Sequence, residues 1–338
     1  MIPSLPSPST AATASAASVS RREVLAAVGG AAGVATVSRA RGAERPVGDA
    51  ALHVRVYPTS IPLRVRLQAG VAGLRGDWTT PHREALDAVD GALEQVLEYA
   101  RERSRLEDAE VRVERGAPVS LPLSTVQRPS GVVVPSLETV LDGFRERLRE
   151  RDALTGSTCH LLACWAPLNY RVGYGGTLSP NARVGIDAGG TSGDALTVAN
   201  LGATELWDSR AVTANMAIHE TLHTFVSSDV AQSVVGSGCN HHLGTAVRTD
   251  EETLRISPMA SAYAGRAEFG AGTRFHGSGC ADHDRFARHD GSEGVENWEY
   301  TTTLSDATCE AVTRYLERNG LSSDDDGGST EHDGRSSE

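Results

Sequence analysis

Residues 219–223 read His-Glu-Thr-Leu-His. On a helix, side chains four positions apart lie on one face, so both imidazoles can reach a single metal ion. Glu220, beside the first of them, is suited to take a proton from a water polarised by that ion. The pattern predicts His219 and His223 as zinc ligands and Glu220 as a general base, the arrangement of metal-assisted hydrolysis. Because the chain contains 11 histidines and the pattern fixes few positions, residues further along must decide whether it is meaningful.

Zinc that activates water is usually held by three protein ligands, leaving one position open. Candidates for the third lie downstream. Asp229 stands ten residues after His219, and His241 and His242 follow a Gly236-Ser237-Gly238 stretch that frees the backbone to turn. Glu251 and Glu252 are further acidic options. Val226 is β-branched and resists the left-handed turn that would deliver Asp229, so His241 is favoured. His242-Leu243-Gly244 can then lead the chain away, with His242 and Asp229 kept as alternatives. Still further on, Ile256 to Tyr263 forms a short apolar segment around Met259, one of only three methionines.

With these residues in place, the chain resembles the metzincin zinc endopeptidases. There an HExxH helix is followed by a third ligand and by a turn whose methionine lies beneath the metal. The resemblance maps His219, Glu220, His223 and Met259 onto that pattern. It departs from it where Val226 occupies the usual glycine place and Asp229 the usual last place. What it implies is a zinc-dependent peptidase acting on a peptide or protein substrate, with an edge strand lining the cleft. Asn181 to Asp187 is the candidate for that strand, and Tyr263, four residues after Met259, is a candidate to steady the oxyanion. A Glu third ligand would instead imply a gluzincin-like site. The alternative reading is a catalytically inactive secreted binding protein on the same scaffold.

The helix that must carry the motif is predicted from Asp208 to Val226, with Val212, Met216, His219, Leu222, His223 and Val226 at helical spacing. Ahead of it, Leu52, Val54 and Val56 alternate as in a strand, as do Leu63, Val65 and Leu67. Thr80-Pro81 opens a helix with Leu86, Val89, Leu93, Val96, Leu97 and Ala100 on one stripe. Glu110–Glu114 reads as a strand, and Ser136 caps a helix carrying Val140, Leu141, Phe144 and Leu148. Cys159–Trp165 and Ala195–Leu201 read as strands, and Ser305 caps a last helix ended by Asn319-Gly320. The order is α+β. It resembles a zincin or metzincin upper lobe of mixed sheet and helices, followed by an irregular lower lobe from Ser227 to Gly320.

Residues 1–40 resemble a twin-arginine export signal: Arg21-Arg22, a weakly apolar run to Val37, then a small-x-small site at Ser38-Arg39-Ala40. The catalytic domain is expected over 47–320, and the acidic stretch 321–338 is expected to be a solvated tail. No later apolar run is long enough to span a bilayer, so a secreted protein without a membrane anchor is expected. All 32 basic residues are arginine, set against 44 acidic ones, for a net charge of −12. That balance disfavours nucleic acid as a partner and suits a halophilic or high-GC source. Of the five cysteines, Cys280 and Cys309 are expected to pair, stapling the last helix to the lower lobe. Cys159 and Cys164, five apart on one strand, point to opposite faces and should not pair.

Overall fold

The computed structural model describes residues 51–59, 78–121, 127–128, 131–132, 137–154, 158–165, 175–178, 195–202, 209–263 and 282–318. The export signal, the Leu63–Leu67 strand, the helix starts at Ser136 and Asp208, Asn181–Asp187, Cys280 and the acidic tail lie outside these residues.

A five-stranded sheet forms the frame, in the order β2-β1-β5-β7-β6. Its strands are β1 (Ala51–Pro58), β2 (Glu110–Arg115), β5 (Cys159–Cys164), β6 (Gly175–Leu178) and β7 (Ala195–Asn200). All neighbours are parallel except β6, which runs antiparallel to β7 at the end of the sheet. Gln127–Arg128 (β3) and Gly131–Val132 (β4) form a separate short hairpin. The inner strands are buried along their length, His53 and Arg55 of β1 and His160 of β5 included, because both faces of the sheet are covered. β5 and β7 are buried at every position.

One face packs on α1 (Thr80–Arg101) and on α3 (Arg210–Leu222), which carries the HExxH motif. On α1, Pro81 sits in the first turn, where its missing N–H is harmless, and the predicted stripe from Leu86 to Ala100 is buried. The opposite face packs on α2 (Leu137–Arg149) through Val140, Leu141, Phe144 and Leu148. Cys159 belongs to the first core and Cys164 to the second, so the strand does direct them to opposite faces. His160, between them, engages the Tyr57 hydroxyl through Nδ1 at 3.0 Å.

α3 begins one residue later than expected. Ser209 is its N-cap, its Oγ accepting from Val212 N at 3.4 Å. It also ends at Leu222 rather than Val226. Thr224 bonds the Thr221 carbonyl through both its N–H (3.0 Å) and its Oγ (2.6 Å), and Phe225 N donates to Leu222 O at 2.9 Å. These tightened bonds close the helix before Val226.

The region after α3 is not irregular. It holds α4 (Ser228–Val235), a 3-10 turn at Asn240–Leu243, a second at Pro258–Tyr263, a four-stranded sheet and α5 (Asp306–Arg318). The sheet order is β10-β8-β9-β11, from β8 (Thr245–Arg248), β9 (Thr253–Ile256), β10 (Arg288–His289) and β11 (Asn297–Tyr300). It packs Ala246, Leu254, Ile256 and Tyr300 against Val212 and Met216 of α3. Asn215 joins the two regions, donating from Nδ2 to Ile256 O (3.2 Å) and Thr301 O (2.7 Å).

α5 is capped by Ser305 as expected, Thr308 N donating to Ser305 Oγ at 3.1 Å. Bidentate Arg105 ties it to the end of α1, with Glu317 at 2.6 Å and Glu310 at 2.7 Å. The expected Cys280–Cys309 bridge is not formed. Cys309 is a buried thiol on the inner stripe of α5 with Val312 and Leu316, turned into the core rather than toward the lower lobe. Cys159 and Cys164 are also thiols, and Cys239 is disulfide-bonded. No helix among the described residues is long and apolar enough to cross a membrane.

Candidate metal centre

α3 is buried on nearly every side, from Asn215 through Leu222. His219, near its C-terminal end, is buried, and His223, one turn on at its C-cap, is half-buried. Their Nε2 atoms lie 3.0 Å apart. His241, on the Asn240–Leu243 turn, brings its own Nε2 to 3.0 Å from that of His223. The ligand atoms of the three residues all fall within 4.8 Å of one another, and they form the single group of this kind among the described residues.

The hydrogen bonds at the far side of the rings decide what the near side offers. A carbonyl can only accept, so His219 Nδ1 must carry the proton it donates to Pro258 O at 2.7 Å. That leaves the Nε2 lone pair aimed at the other rings. His241 Nδ1 lies 3.5 Å from Cys239 Sγ, a contact in which the ring N–H faces sulfur. Converging imidazole nitrogens without a cation or proton between them repel, whereas neutral imidazoles sharing one ion fit. This donor set can hold a metal ion.

Burial drives the titration in the same direction. It lowers His219 to about 4, and lowers His223 to about 3 with help from the neighbouring His219 charge. His241 is held well below the ordinary histidine range by burial, then by the adjacent imidazoles. All three are thus neutral, the form that ligates. Glu220 is buried too, and burial pushes its carboxyl up to about 8. A cation nearby would favour the carboxylate and bring it back down. The Glu220 backbone is fixed by Thr197 of β7, whose Oγ1 donates to Glu220 O at 3.0 Å, so the sheet sets the height of the motif.

The chain reaches His241 by a detour. After Ser227, α4 carries it outward and stops at Gly236, whose φ of 66° is left-handed and suits glycine. The return is stitched by Asn240 Nδ2 donating to Val226 O at 2.9 Å and by Cys239 N donating to Ser237 Oγ at 3.2 Å. Beneath, the Leu243 carbonyl accepts from Thr308 Oγ1 at 3.1 Å and from Ser305 Oγ, so the N-terminus of α5 braces the turn. Gly244 follows. A Cβ there would lie 2.2 Å from Ala260 N and 2.6 Å from Met259 C, so only glycine lets the His241 turn rest on the Met259 turn. Met259 is fully buried beside Leu222 and Leu243 in the core. The carbonyl that orients His219 belongs to the residue just before it.

The other third-ligand candidates stand elsewhere. Asp229 is on the outer face of α4 with its side chain 73% exposed, paired with Arg318 at 2.8 Å. His242 turns the opposite way from His241 along the 3-10 turn and is buried, with Nδ1 2.6 Å from Ser237 Oγ. Glu251 and Glu252 are exposed at the tip of the β8–β9 hairpin. Tyr263 closes the Met259 turn, though its side chain lies outside the described residues. Sequence reading missed Asn215, the Pro258 carbonyl and Cys239, and read Gly244 only as the point where the chain leads away. Only Gly244 and Pro258 left a signal, as breaker residues beside each turn. Compared with known proteins, the chain matches no family model and no curated protein.

Proposed function

We propose that the chain is a zinc-dependent peptidase of the zincin kind, acting on peptide or protein substrates outside the cell. The observation that carries the proposal is three imidazoles converging on one point, with Glu220, next in sequence to the first of them, buried on α3. Three histidines with one position left for water is the donor set of catalytic rather than structural zinc. His219, His223 and His241 would hold the zinc ion, which when bound would supply Lewis acidity and lower the pKa of a water to near neutral. Glu220 accepts the proton of the attacking water at its carboxylate and returns it to the departing amine. Pro258 O keeps His219 in the ligating tautomer, and Met259 gives the site an apolar floor. β6, the antiparallel strand at the end of the sheet among the described residues, offers backbone for an extended peptide to pair with. The Arg21-Arg22 signal supports export, as does a disulfide at Cys239, since such bonds persist in oxidising compartments.

Glu220→Gln separates this reading from a secreted binding protein on the same scaffold. The substitution removes the base and leaves all three imidazoles. Metal content should remain about one per chain by metal analysis, while hydrolysis of a protein substrate falls by roughly 10²- to 10⁴-fold, the usual weight of general acid–base catalysis. Metal retention with no chelator-sensitive hydrolysis in the wild type would favour the binding protein.

A further inference from the structure

Asn215 is fully buried in the middle of α3, on the stripe that also carries Val212, Met216 and His219. Val212 and Met216 pack there on Ala246, Leu254, Ile256 and Tyr300 of the lower sheet. An amide suits such a position only if its polar groups are met, because it is a weaker helix former than its apolar neighbour Met216 and costs free energy to bury. Carbonyls from two different strands meet it: Nδ2 donates to Ile256 O of β9 at 3.2 Å and to Thr301 O, just past β11, at 2.7 Å. We propose that Asn215 is a positioning residue for the metal centre, holding α3 in the register against β9 at which the Pro258 carbonyl meets His219 Nδ1. The proposal rests on the metal-site reading above and adds the residue that sets its first ligand.

Two contacts of matched spacing join the helix to the chain that follows β9. Asn215 stands four residues before His219, and Ile256 stands two before Pro258. Four helical residues rise about 6 Å, and two residues of extended chain advance about 6.6 Å. The Asn215–Ile256 and His219–Pro258 hydrogen bonds are thus successive rungs between one helix face and one chain segment. The acceptor end is fixed by the lower sheet without help from the helix. Thr301 N donates to Ile256 O at 3.1 Å, Ser257 N to Thr245 O at 3.0 Å, and Thr245 N to Ser257 Oγ at 2.8 Å. Those bonds hold the Pro258 carbonyl to the sheet, and the Asn215 amide holds α3 to the same segment. Hydrogen bonds weaken steeply with misalignment, so a slide or twist of α3 that breaks the first rung also turns the second off its axis. His219 Nδ1 then loses its fixed acceptor, and either ring nitrogen can carry the proton. The Nε2 lone pair that faces His223 at 3.0 Å is the casualty. Asn215 therefore acts through His219, one turn away, rather than on the metal itself.

The test compares the purified full chain with Asn215→Leu, which is close in size and removes both donors, and with Ile218→Val, which trims the core face of the same helix. Cobalt and zinc affinities are read by competition with a chelator, stability by thermal melting, and the His219 tautomer by nitrogen-15 NMR of the histidine-labelled, metal-free chain. Asn215→Leu should bind metal about 10- to 100-fold more weakly, as loss of an orienting partner does. Its His219 signals should change from a single Nδ1-protonated form to a mixture of tautomers. Ile218→Val should keep the wild-type tautomer and an affinity within twofold, although its melting temperature also falls. Affinity within twofold of wild type in Asn215→Leu, or an unchanged His219 tautomer, would overturn the proposal. So would an equal loss of affinity in Ile218→Val, because helix stability alone would then govern the site. If the wild type binds no metal, the zinc reading fails, and the tautomer comparison still decides whether Asn215 orients His219. Should Asn215→Leu misfold, the wild type carries the test, since coupling between metal and positioning contact is reciprocal. Zinc should slow solvent exchange of the Asn215 side-chain amide protons, and exchange unaffected by zinc would sink the proposal.

Discussion

His219 leaves a 13-residue helix buried on almost every side and His223 stands at its C-cap, whereas His241 leaves a four-residue 3-10 turn reached through a helix, two glycines and a disulfide-bonded cysteine. The first pair is placed by regular secondary structure. Their spacing follows from 3.6 residues per turn, and the height of the helix is set by Thr197 on one side and Asn215 on the other. The third is placed by tertiary contacts alone: the Asn240–Val226 stitch, the α5 brace on Leu243, and the close approach of Gly244 to Ala260. A binding site assembled this way has a rigid half and a contingent half, and perturbations should sort accordingly.

The strongest way to break that distinction is to remove ligands from each half. His219→Ala and His241→Ala should both lower metal affinity by more than the roughly 10- to 100-fold typical of outer partners, and both should abolish hydrolysis. They should differ in what else moves. In His219→Ala the helix keeps its Ser209 cap and Asn215 bonds, so helical circular dichroism stays near wild type. In His241→Ala the turn loses an anchor to the metal, and protease sensitivity should rise between Gly236 and Gly244. Equal protection of that segment in both variants would mean the turn is as rigid as the helix.

Acidity tests the same cluster without mutation. In the metal-free chain the folded histidines titrate far below the ordinary 6.5, near 4 for His219 and 3 for His223. The unfolded chain therefore binds more protons once pH drops below 6.5, and stability is lost as pH falls from there. Glu220 acts oppositely. Its folded carboxyl holds a proton up to about 8, so between its ordinary value and 8 the folded state binds the extra proton and stability declines as pH rises. Melting temperature without metal should therefore peak near the histidine value. Metal should raise the whole curve and flatten its alkaline side, because a cation favours the Glu220 carboxylate. A metal-free protein whose melting temperature is level from about pH 5 to 8 would contradict the burial described for these groups.

What could be read beforehand follows the same division. The helix pair was legible because i, i+4 spacing is a local property, and the long stripe of α1 and the inner strands were legible for the same reason. For the third position the sequence favoured His241 but left His242, Asp229, Glu251 and Glu252 open, since which residue turns inward depends on where α3 stops and on the phase of a 3-10 turn braced from α5. The four-stranded lower sheet stayed hidden because its strands run two to four residues, too short for a period to show. Strand β6 was hidden likewise by its glycines. Cys309 was misjudged although a signal existed: it shares the helical stripe of Val312 and Leu316, which faces the core.

A smaller change at the seam between the two turns sharpens the picture. Gly244→Ala would drive a methyl group into Ala260 N and the Met259 carbonyl carbon. Both are backbone atoms that cannot swing aside, so the turns must separate, at a cost of about 1–3 kcal/mol typical of overpacking. Because the same seam sets the His241 turn, metal affinity should fall with stability. A stable variant with wild-type affinity would show that the Met259 turn does not govern His241.

Asp229→Ala should do least, and it bears directly on the third ligand. In the HExxH pattern with standard spacing, Asp229 would take the metal, and its loss would be as damaging as that of His241. Here the helix closes at Leu222 and α4 begins at Ser228, which puts Asp229 in the first turn of an outward-facing helix. Its partner is Arg318, and both side chains are mostly exposed. Exposed pairs contribute about 0–1 kcal/mol, so the variant should lose at most that much by chemical denaturation. Metal content and hydrolysis should match wild type. Loss of metal in Asp229→Ala, with retention in His241→Ala, would return the third ligand to the standard spacing and reverse the roles of the two residues.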